Sequence, residues 1–398
     1  MKKTLPAFFL ICIFQNLFAQ TDSDRYREIC YLRISLLTCT PGQELYSTFG
    51  HSALRVINST AGTDMIYNYG TFDFDDPSFY SKFVRGKLLY FVSIDKFENF
   101  LQEYIDEKRG ITEQVLDLSC AEKDNLLAFL QENAKEENKY YKYDFVYDNC
   151  TTRLRDIVLK NVNASVITKD IRPKEEITFR NLIHEYLDKS YQYWSELGID
   201  ILLGSPVDKK IDNNEAMFLP DYLLKGFDST TVSQEDLLNL HENLVSEKKQ
   251  ILKPTVQENK SSLLSPFIIF AILFIVIGVM GFFKNTSRFF SFFDFILFFL
   301  SGTLGILILF MWFGTDHPEC KNNFSLAWAL PFHFIIVFFI YTNRSWLRYY
   351  FLVNSILLLL LLVLWKWLPQ EMNNALIPLV CLLILRSLMR YKKFNDVN

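Results

Sequence analysis

The chain is poor in the residues that mark several protein classes. Glycine (14) and proline (12) are few among its 398 residues, which excludes collagen-like and Pro/Gly-rich disordered chains. The seven cysteines form no CxxC pair and no Cys/His ladder of the kind that binds zinc. Charged residues make up only 22%, too few for a disordered charged tail. The length therefore points to a folded protein of two or three domains.

The net charge of −4 conceals an uneven distribution along the chain. Residues 21–264 hold 29 basic and 40 acidic residues, whereas residues 265–398 hold 10 basic and 5 acidic ones. The acidic middle has no basic stripe, so no nucleic-acid partner is predicted. The apolar and mildly basic last third indicates a part that lies in a membrane.

The N-terminus has the features of a secretory signal peptide. Two lysines follow the initiating methionine, an apolar run covers residues 5–18, and the small residue Ala19 precedes a polar stretch. We therefore predict a signal peptide over residues 1–20, cleaved near Ala19. An uncleaved anchor helix is the alternative, because Leu17 fits poorly at the −3 position. In both cases the chain that follows is exported.

Five apolar segments follow from Pro266 onward, each near the roughly 20 residues that cross a bilayer as a helix. They cover about 266–283, 289–313, 325–342, 347–365 and 374–390. If residues 21–264 lie on the exported side of the membrane, the inner loops and the C-terminal end contain eight basic residues. The outer loops contain two. This asymmetry obeys the positive-inside rule and predicts five membrane helices.

The exported part mixes strand and helix patterns. Residues 31–37 and the segments HSALRVIN and MIYNYGTFDF have the pattern of strands. Leucines at helical spacing predict a helix over 121–138, and apolar residues on one face predict another over about 150–161. The predicted boundaries are 21–231 for the folded domain, 232–264 for a polar linker or helix, and 265–398 for the membrane domain.

Two short segments carry residues suited to nucleophilic catalysis. His51 opens a β-type segment within FGHSA, and Cys150 opens a helix within YDNCTT. The dipole and free N–H groups of a helix N-terminus favour a thiolate, and a nearby imidazole lowers the thiol pKa further. Such a pair needs a third polar group to fix the imidazole tautomer, and Asn68 is our candidate. The backbone N–H of Cys150 is the expected oxyanion donor.

Each of these residues also has an ordinary interpretation. The alternatives for Cys150 are a packed cysteine and half of a disulfide. The alternative for His51 is an ordinary polar residue at the start of a strand. Asn68 is open to being a plain turn or strand residue. Asp148 and Asn149 are expected to cap the helix rather than to catalyse.

Other polar residues carry weaker signals. Cys39 and Cys120 are candidates for a disulfide or are simply packed, and His184 is expected to be solvated. Asp294 and His333 lie within apolar segments, where polar groups are costly and often functional. Snorkelling to the membrane surface is an equal explanation for Asp294. The sequence predicts no metal site.

The exported part resembles the periplasmic domain of the Lnb-type lipoprotein N-acyltransferases. In chain order, the resemblance is carried by CTPGQELYSTFGHSALRV, YNYGTFDFDDPSF, YDNCTTRLRD, TFRNLI, GIDILLGSPVD and MFLPDYL. That family also carries a signal peptide and several C-terminal membrane helices. The resemblance implies a permuted papain-like fold, as in the NlpC/P60 and lecithin:retinol acyltransferase groups, in which the histidine strand precedes the cysteine helix. The expected class is thus α+β, with an all-α five-helix transmembrane domain, in the bacterial inner membrane.

The resemblance also implies an acyltransferase. A fatty acyl chain moves from a membrane phospholipid, through a thioester, to the N-terminal α-amine of diacylglyceryl lipoproteins. By the resemblance, His51 takes the role of base and Cys150 that of nucleophile, and Asn68 is our choice for the third member. No cofactor is implied.

Three further residues are candidates for contact with the substrate. Arg153 and Arg180 are candidates to hold a lipid phosphate. Tyr69 is a candidate for another contact with the substrate. Surface salt bridges in an acidic domain are the alternative for both arginines. Asp200 and Asp208 are expected to be structural.

Two other functions fit the same residues. The same Cys/His pair suits an NlpC/P60-like amidase or peptidase that cuts peptidoglycan or a related amide. Such a hydrolase has little use for five membrane helices. A membrane receptor or assembly factor is the non-enzymatic alternative, in which His51 and Cys150 are dispensable.

Overall fold

The computed structural model describes residues 30–233, 241–255, 264–281, 283, 287–342 and 344–396. The predicted signal peptide lies outside the described residues. A sheet-rich N-terminal part is followed by a helical C-terminal part, which confirms the predicted α+β class.

The strands of the N-terminal part form two antiparallel sheets. In chain order they are β1 (Leu32–Cys39), β2 (His51–Asn58), β3 (Thr63–Thr71), β4 (Leu89–Lys96), β5 (Ile111–Leu116), β6 (Tyr140–Lys142), β7 (Ser165–Thr168), β8 (Thr230–Ser233), β9 (His241–Asn243) and β10 (Val245–Leu252). The larger sheet has the order β10-β5-β1-β2-β3-β4-β6, and the smaller has the order β7-β8-β9. The helices between the strands are α1 (Phe79–Val84), α2 (Phe97–Asp106), α3 (Cys120–Asn133), α4 (Cys150–Lys160), α5 (Phe179–Lys189), α6 (Tyr193–Leu202), α7 (Asn213–Ala216) and α8 (Pro220–Ser229).

Strand β1, inside the larger sheet, is buried on both faces. Side chains alternate across a strand, so Leu32, Ile34 and Leu36 pack in the core that contains α3 and α4. Leu37 and Cys39 point the other way and pack with the aromatic residues of α2. The larger sheet is therefore held between two hydrophobic cores, which fixes its register.

The predicted helices over 121–138 and 150–161 are confirmed as α3 and α4. Ser119 caps α3, because its hydroxyl accepts a hydrogen bond from the N–H of Glu122. Leu126 and Leu130 of α3 are fully buried against the sheet. The α4 helix packs on β2 and β3, which brings its N-terminus to these strands.

The disulfide of the N-terminal part joins Cys30 to Cys120. The candidate pairing of Cys39 with Cys120 is wrong. Cys39 lies at the far end of β1 and is fully buried against α2, whereas Cys120 opens α3 on the other face of the sheet. Cys30 lies at the near end of β1, so the bond fastens the start of this strand to the start of α3.

The segment after the predicted domain boundary belongs to the larger sheet. The predicted linker or helix at 232–264 is wrong for Val245–Leu252, which is strand β10 beside β5. Most of its side chains are exposed, and they include Lys248 and Lys249. Charged edge strands protect a sheet from pairing with other chains, and their polar composition resembles that of a linker. The folded domain therefore extends at least to Leu252.

The C-terminal part is helical. Its helices are α9 (Pro266–Met280), α10 (Ser287–Phe313), α11 (Phe332–Ile336), α12 (Trp346–Leu364) and α13 (Leu376–Asp396). Among the described residues, α10 and α12 are long and apolar enough to cross a membrane, and a bent pair of helical segments within 318–339 adds a third candidate. The α9 helix has only 15 residues. The number of five spans thus stays a prediction.

The third predicted span is not one straight helix. The chain bends by 49° between Pro318–Ala327 and Phe332–Phe339. Pro331 lies at the bend and lacks the N–H that a continuous helix needs. The segment also packs tightly on α10, because a Cβ at Gly305 would lie 2.0 Å from Ala329 O.

Buried polar groups join the C-terminal helices. Asp294 of α10 is fully buried and accepts hydrogen bonds from Arg386 and Arg390 of α13, at 2.6 and 2.5 Å. The snorkelling interpretation of Asp294 is therefore wrong, and its carboxylate is paired as apolar surroundings require. His333 is also buried, and its Nε2 lies 3.2 Å from Asn354 Oδ1. Both groups hold helices together.

Candidate active site

Cys150 is the first residue of α4. Asn149 caps the helix, because its Oδ1 accepts hydrogen bonds from the N–H groups of Thr151 and Thr152 at 2.8 and 2.9 Å. The N–H of Asn149 donates in return to Thr152 Oγ1 at 2.8 Å. The predicted cap is thus confirmed for Asn149, whereas Asp148 forms an ion pair instead. The thiol lies where the helix dipole favours a negative charge.

His51 and Asn68 meet across two neighbouring strands. His51 begins β2, and Asn68 lies in β3. The imidazole Nε2 lies 2.6 Å from Asn68 Oδ1. An amide oxygen only accepts hydrogen bonds, so Nε2 carries a proton and donates it to Asn68. This leaves Nδ1 as the ring nitrogen available to Cys150, whose pKa the neighbouring imidazole lowers.

The surroundings make the thiol acidic. Burial raises the pKa of Cys150, but the charge and the hydrogen bond of His51 lower it, helped by the N–H of Ser52 and the hydroxyl of Thr151. Together these groups lower the pKa of Cys150 to about 7. Burial lowers the pKa of His51, but Cys150 and Asn68 outweigh it and raise that pKa. The pair is therefore poised to form a thiolate and an imidazolium near neutral pH.

This acidity predicts how the thiol reacts with an alkylating agent. Only the thiolate is alkylated, so the rate at Cys150 is expected to rise with pH and to reach its midpoint near pH 7. In His51→Ala the favourable charge is lost, and the midpoint is expected to move up by roughly 1–3 pH units. Mass spectrometry of the iodoacetamide-treated Cys150 peptide measures the rate. Equal midpoints near pH 9 in both proteins would contradict the thiolate–imidazolium pair.

Gly70 makes room for the thiol in the strand beside it. Its φ is +91°, and a Cβ at this position would lie 3.3 Å from Cys150 Cβ. The pairing of β3 with β4 shifts register between Asn68 and Thr71, so the strand bulges here. Glycine tolerates this backbone and presents no side chain to the nucleophile.

A cavity of about 910 Å³ opens at the thiol. Ligand sites in proteins typically have volumes of about 300–1,000 Å³. One wall comes from the N-terminal part and is rich in aromatic residues, including Phe49, Phe72, Phe74, Phe83, Tyr90 and Phe145. A second part of the lining comes from the C-terminal part, through Met311 and residues 316–320. The apolar cavity thus lies where the two parts of the chain meet.

The segment that forms this second wall is fastened to the N-terminal part. The N–H of Gly204, just after α6, donates to Glu319 O at 2.8 Å. Lys142 Nζ lies 3.0 Å from Asp316 Oδ2. His317 Nε2 lies 3.1 Å from Phe83 O. These contacts hold this wall of the cavity in place against the N-terminal part.

Arg180 does not face this cavity. Its side chain is fully buried, and its guanidinium binds Asp200 at 2.6 Å and Asp208 at 2.7 Å. Its third nitrogen, Nη2, donates to backbone oxygens and to Asp208. The expectation that Arg180 holds a phosphate is wrong, because all three nitrogens already have partners. His184 Nε2 lies 2.9 Å from Asp200, so His184 is not solvated as predicted.

The other two predicted substrate contacts also lie elsewhere. The Arg153 guanidinium stacks on Tyr141 at 3.5 Å and pairs with Asp148 at 2.6 Å. Tyr69 is fully buried, and its hydroxyl donates to Asn133 at 2.6 Å. Neither Arg153 nor Tyr69 is among the described residues that line the cavity. The ion-pair interpretation fits Arg153, and Tyr69 belongs to the core.

Among the described residues, His184, Glu196 and Asp200 have the spacing of metal ligands, with their ligand atoms within 4.8 Å of one another. The oxygens of Asp200 already accept hydrogen bonds from Arg180 and Asn373. A guanidinium at 2.6 Å repels a cation bound to the same carboxylate. We therefore assign the set to a network that joins α5 and α6 to the segment before α13.

Sequence reasoning missed several residues of the cavity. Glu103, Arg109 and the segment 316–320 all line it, and none belongs to a motif with a recognisable spacing. Arg109 reaches the site because β5 pairs with β1, where the N–H of Thr40 donates to Gly110 O at 2.9 Å. Only this long-range pairing could have revealed it.

Comparison with known protein families gives two matches. The Lnb N-terminal periplasmic domain matches residues 21–185, and the Lnb transmembrane domain matches residues 257–395. Comparisons with curated proteins and with solved structures give no match, so the likeness to papain stays a prediction. The two domains make this a membrane protein with a periplasmic N-terminal region. The chain belongs to the Lnb-type lipoprotein N-acyltransferase family.

Proposed function

We propose that this protein transfers a fatty acyl chain from a membrane phospholipid to the N-terminal α-amine of diacylglyceryl lipoproteins, through a thioester at Cys150. The observation that carries the proposal is the position of the thiol. It lies beside His51 and at an apolar cavity built jointly by the periplasmic and the membrane domain. Such a cavity suits substrates that are themselves anchored in lipid.

In the first half-reaction, the Cys150 thiolate attacks an ester carbonyl of the phospholipid. The backbone N–H groups of Thr151 and Thr152 are taken by Asn149, which leaves the N–H of Cys150 to stabilise the oxyanion. The ester C–O bond breaks, and the His51 imidazolium protonates the departing alkoxide. The products are a thioester on Cys150 and a lysophospholipid.

In the second half-reaction, the α-amine of the lipoprotein attacks the thioester carbonyl. His51 is then a neutral base and takes the proton of the amine, while Asn68 holds the ring in the required tautomer. The C–S bond breaks, and the thiolate is regenerated as the amide forms. The thioester preserves the reactivity of the acyl group, so the reaction needs no nucleotide.

The setting follows from the substrates. Both carry acyl chains and lie in the same membrane, which we propose is the bacterial inner membrane. The catalytic domain lies on its periplasmic side. The membrane helices then keep the thiol at the height of the lipid headgroups, where ester carbonyls are found.

The proposal is tested by trapping the acyl-enzyme. The full-length protein in detergent is mixed with a phospholipid of known chains, without any lipoprotein. We expect the Cys150 peptide to gain the mass of one acyl chain, which hydroxylamine removes as it does other thioesters. Cys381→Ala, which changes a cysteine of the membrane domain, is the matched control and is expected to trap the chain as well.

Two outcomes would count against the transferase. Absence of the adduct, with Cys150 still open to alkylation, would remove the phospholipid from the mechanism. Cleavage of peptidoglycan peptides by the same thiol would favour the amidase instead. If neither reaction depended on Cys150 or His51, a non-enzymatic membrane role would remain.

A further inference from the structure

Arg109 is a buried arginine of the catalytic cavity for which the proposed mechanism has no role. It lies between α2 and β5, its side chain is 7% exposed, and it lines the cavity together with His51 and Cys150. Its Nε donates to Thr40 O at 2.8 Å, and its Nη1 donates to Glu107 at 2.7 Å. These two bonds explain how the guanidinium is held.

The third nitrogen of this guanidinium, Nη2, differs from the other two in its hydrogen bonding. Nη2 of Arg109 is buried and has no hydrogen-bond partner in the part of the chain that the structure describes. A buried charged donor without a partner is costly, and buried polar groups in native proteins are nearly always satisfied. A ligand that enters the cavity can supply the missing acceptor when the side chains that cover Nη2 move aside.

The guanidinium is fixed before any ligand binds. The guanidinium carbon, Cζ of Arg109, lies 4.6 Å from the centre of the Tyr104 ring. The neighbouring backbone is tied to β1, because Gly110 N–H donates to Thr40 Oγ1 at 2.8 Å and Thr40 N–H donates to Gly110 O at 2.9 Å. A donor that is already ordered loses little entropy when it binds a ligand.

We propose that Nη2 of Arg109 binds an anionic phosphate oxygen of the donor phospholipid while its ester carbonyl lies at Cys150. The inference rests on the proposed function and deepens it. Guanidinium groups bind phosphate oxygens through strong, charge-assisted hydrogen bonds. Of the two substrates, only the donor carries a phosphate. Arg153 and Arg180 are engaged elsewhere.

Two carboxylates moderate this attraction. Glu107 already binds Nη1, and Glu103 also lines the cavity. The phosphate therefore binds one nitrogen, Nη2, rather than two nitrogens of the guanidinium at once. A moderate affinity suits the reaction, because the headgroup must leave with the lysophospholipid before the lipoprotein amine binds.

The experiment compares two acyl donors that differ in the phosphate. Acyl-enzyme formation is timed with a phosphatidylglycerol and with a diacylglycerol of the same chains, using full-length protein in the same detergent. In the unchanged protein we expect the phospholipid to react faster. In Arg109→Gln we expect the phospholipid rate to fall roughly 10- to 100-fold, as for the loss of a hydrogen bond to a charged group. The diacylglycerol rate should stay within about twofold, since it never used the missing bond.

The controls separate recognition from folding. Arg153→Gln removes an arginine that stacks on Tyr141, away from the cavity lining, and should leave the donor preference intact. The rate of Cys150 alkylation in Arg109→Gln reports whether the site is still formed. Inorganic phosphate, added to the unchanged protein, should slow the phospholipid reaction but should not slow that of the Arg109 variant.

The outcomes can be told apart. Equal loss with both donors in Arg109→Gln would show a structural role and overturn the inference. Equal rates with both donors in the unchanged protein would overturn it as well, and inhibition by inorganic phosphate in that case would show a site for the free ion. Failure of every donor to acylate Cys150 would instead overturn the proposed function on which the inference rests.

Discussion

Replacement of Cys150 by alanine is expected to leave the N-terminal α-amine of a reporter lipoprotein free. The host lacks its own N-acyltransferase and expresses either the unchanged protein or Cys150→Ala. Mass spectrometry of the N-terminal peptide then detects an N-linked acyl chain only with the unchanged protein. The loss is complete because the sulfur of Cys150 carries the acyl chain from donor to acceptor.

A matched variant and a conservative one sharpen this result. Cys381→Ala should acylate the reporter normally, because Cys381 lies in α13 and is not among the described cavity residues. Cys150→Ser should lose nearly all transfer, since a hydroxyl is a far weaker nucleophile than a thiolate. A free reporter amine with every variant, while each protein is present in the membrane, would count against N-acylation.

The second large effect is expected from Gly204→Ala. A Cβ at Gly204 would lie 1.8 Å from Lys321 O, so the backbone of the membrane-domain segment has to move away. The same contact holds one wall of the cavity, through Gly204 N–H and Glu319 O. A displacement of about 1 Å can cost a factor of about 100 in rate. We expect acyl transfer to fall by that order while Cys150 is still alkylated near pH 7.

The helix just before Gly204 offers the control for this prediction. Gly198 lies within α6, and a Cβ there meets no atom within 4 Å. Gly198→Ala should therefore transfer acyl chains as the unchanged protein does, with a slight gain in stability from the better helix former. Normal transfer by Gly204→Ala, or equal damage in the two variants, would mean that the wall does not position the substrate.

Local patterns were enough to predict much of this fold. The leucine spacing of α3, the cap before Cys150 and the strands that carry His51 and Asn68 all follow from neighbouring residues. The meeting of His51 with Asn68 needed one further step, because consecutive antiparallel strands pair side by side. Each of these inferences spans a short stretch of chain.

The errors share a different cause. Arg180 and Asp200 are 20 residues apart, and only the packing of α5 on α6 turns a plausible phosphate ligand into a buried ion pair. Strand β10 pairs with β5 across more than a hundred residues, so its charged sequence read as a linker. The disulfide partner of Cys120 likewise depended on which face of the sheet each cysteine occupies. Tertiary contact decided all of these cases.

The wall formed by residues 316–320 changes what counts as a separable part of this molecule. A hybrid protein joined near residue 264, with helices from a relative, would keep His51 and Cys150 but receive a foreign wall. Under the proposed function, the lipid preference of the hybrid would then match neither parent. Exchange of the domains at their sequence boundary would therefore not transfer specificity. To transfer it, residues 316–320 have to be exchanged together with the periplasmic domain.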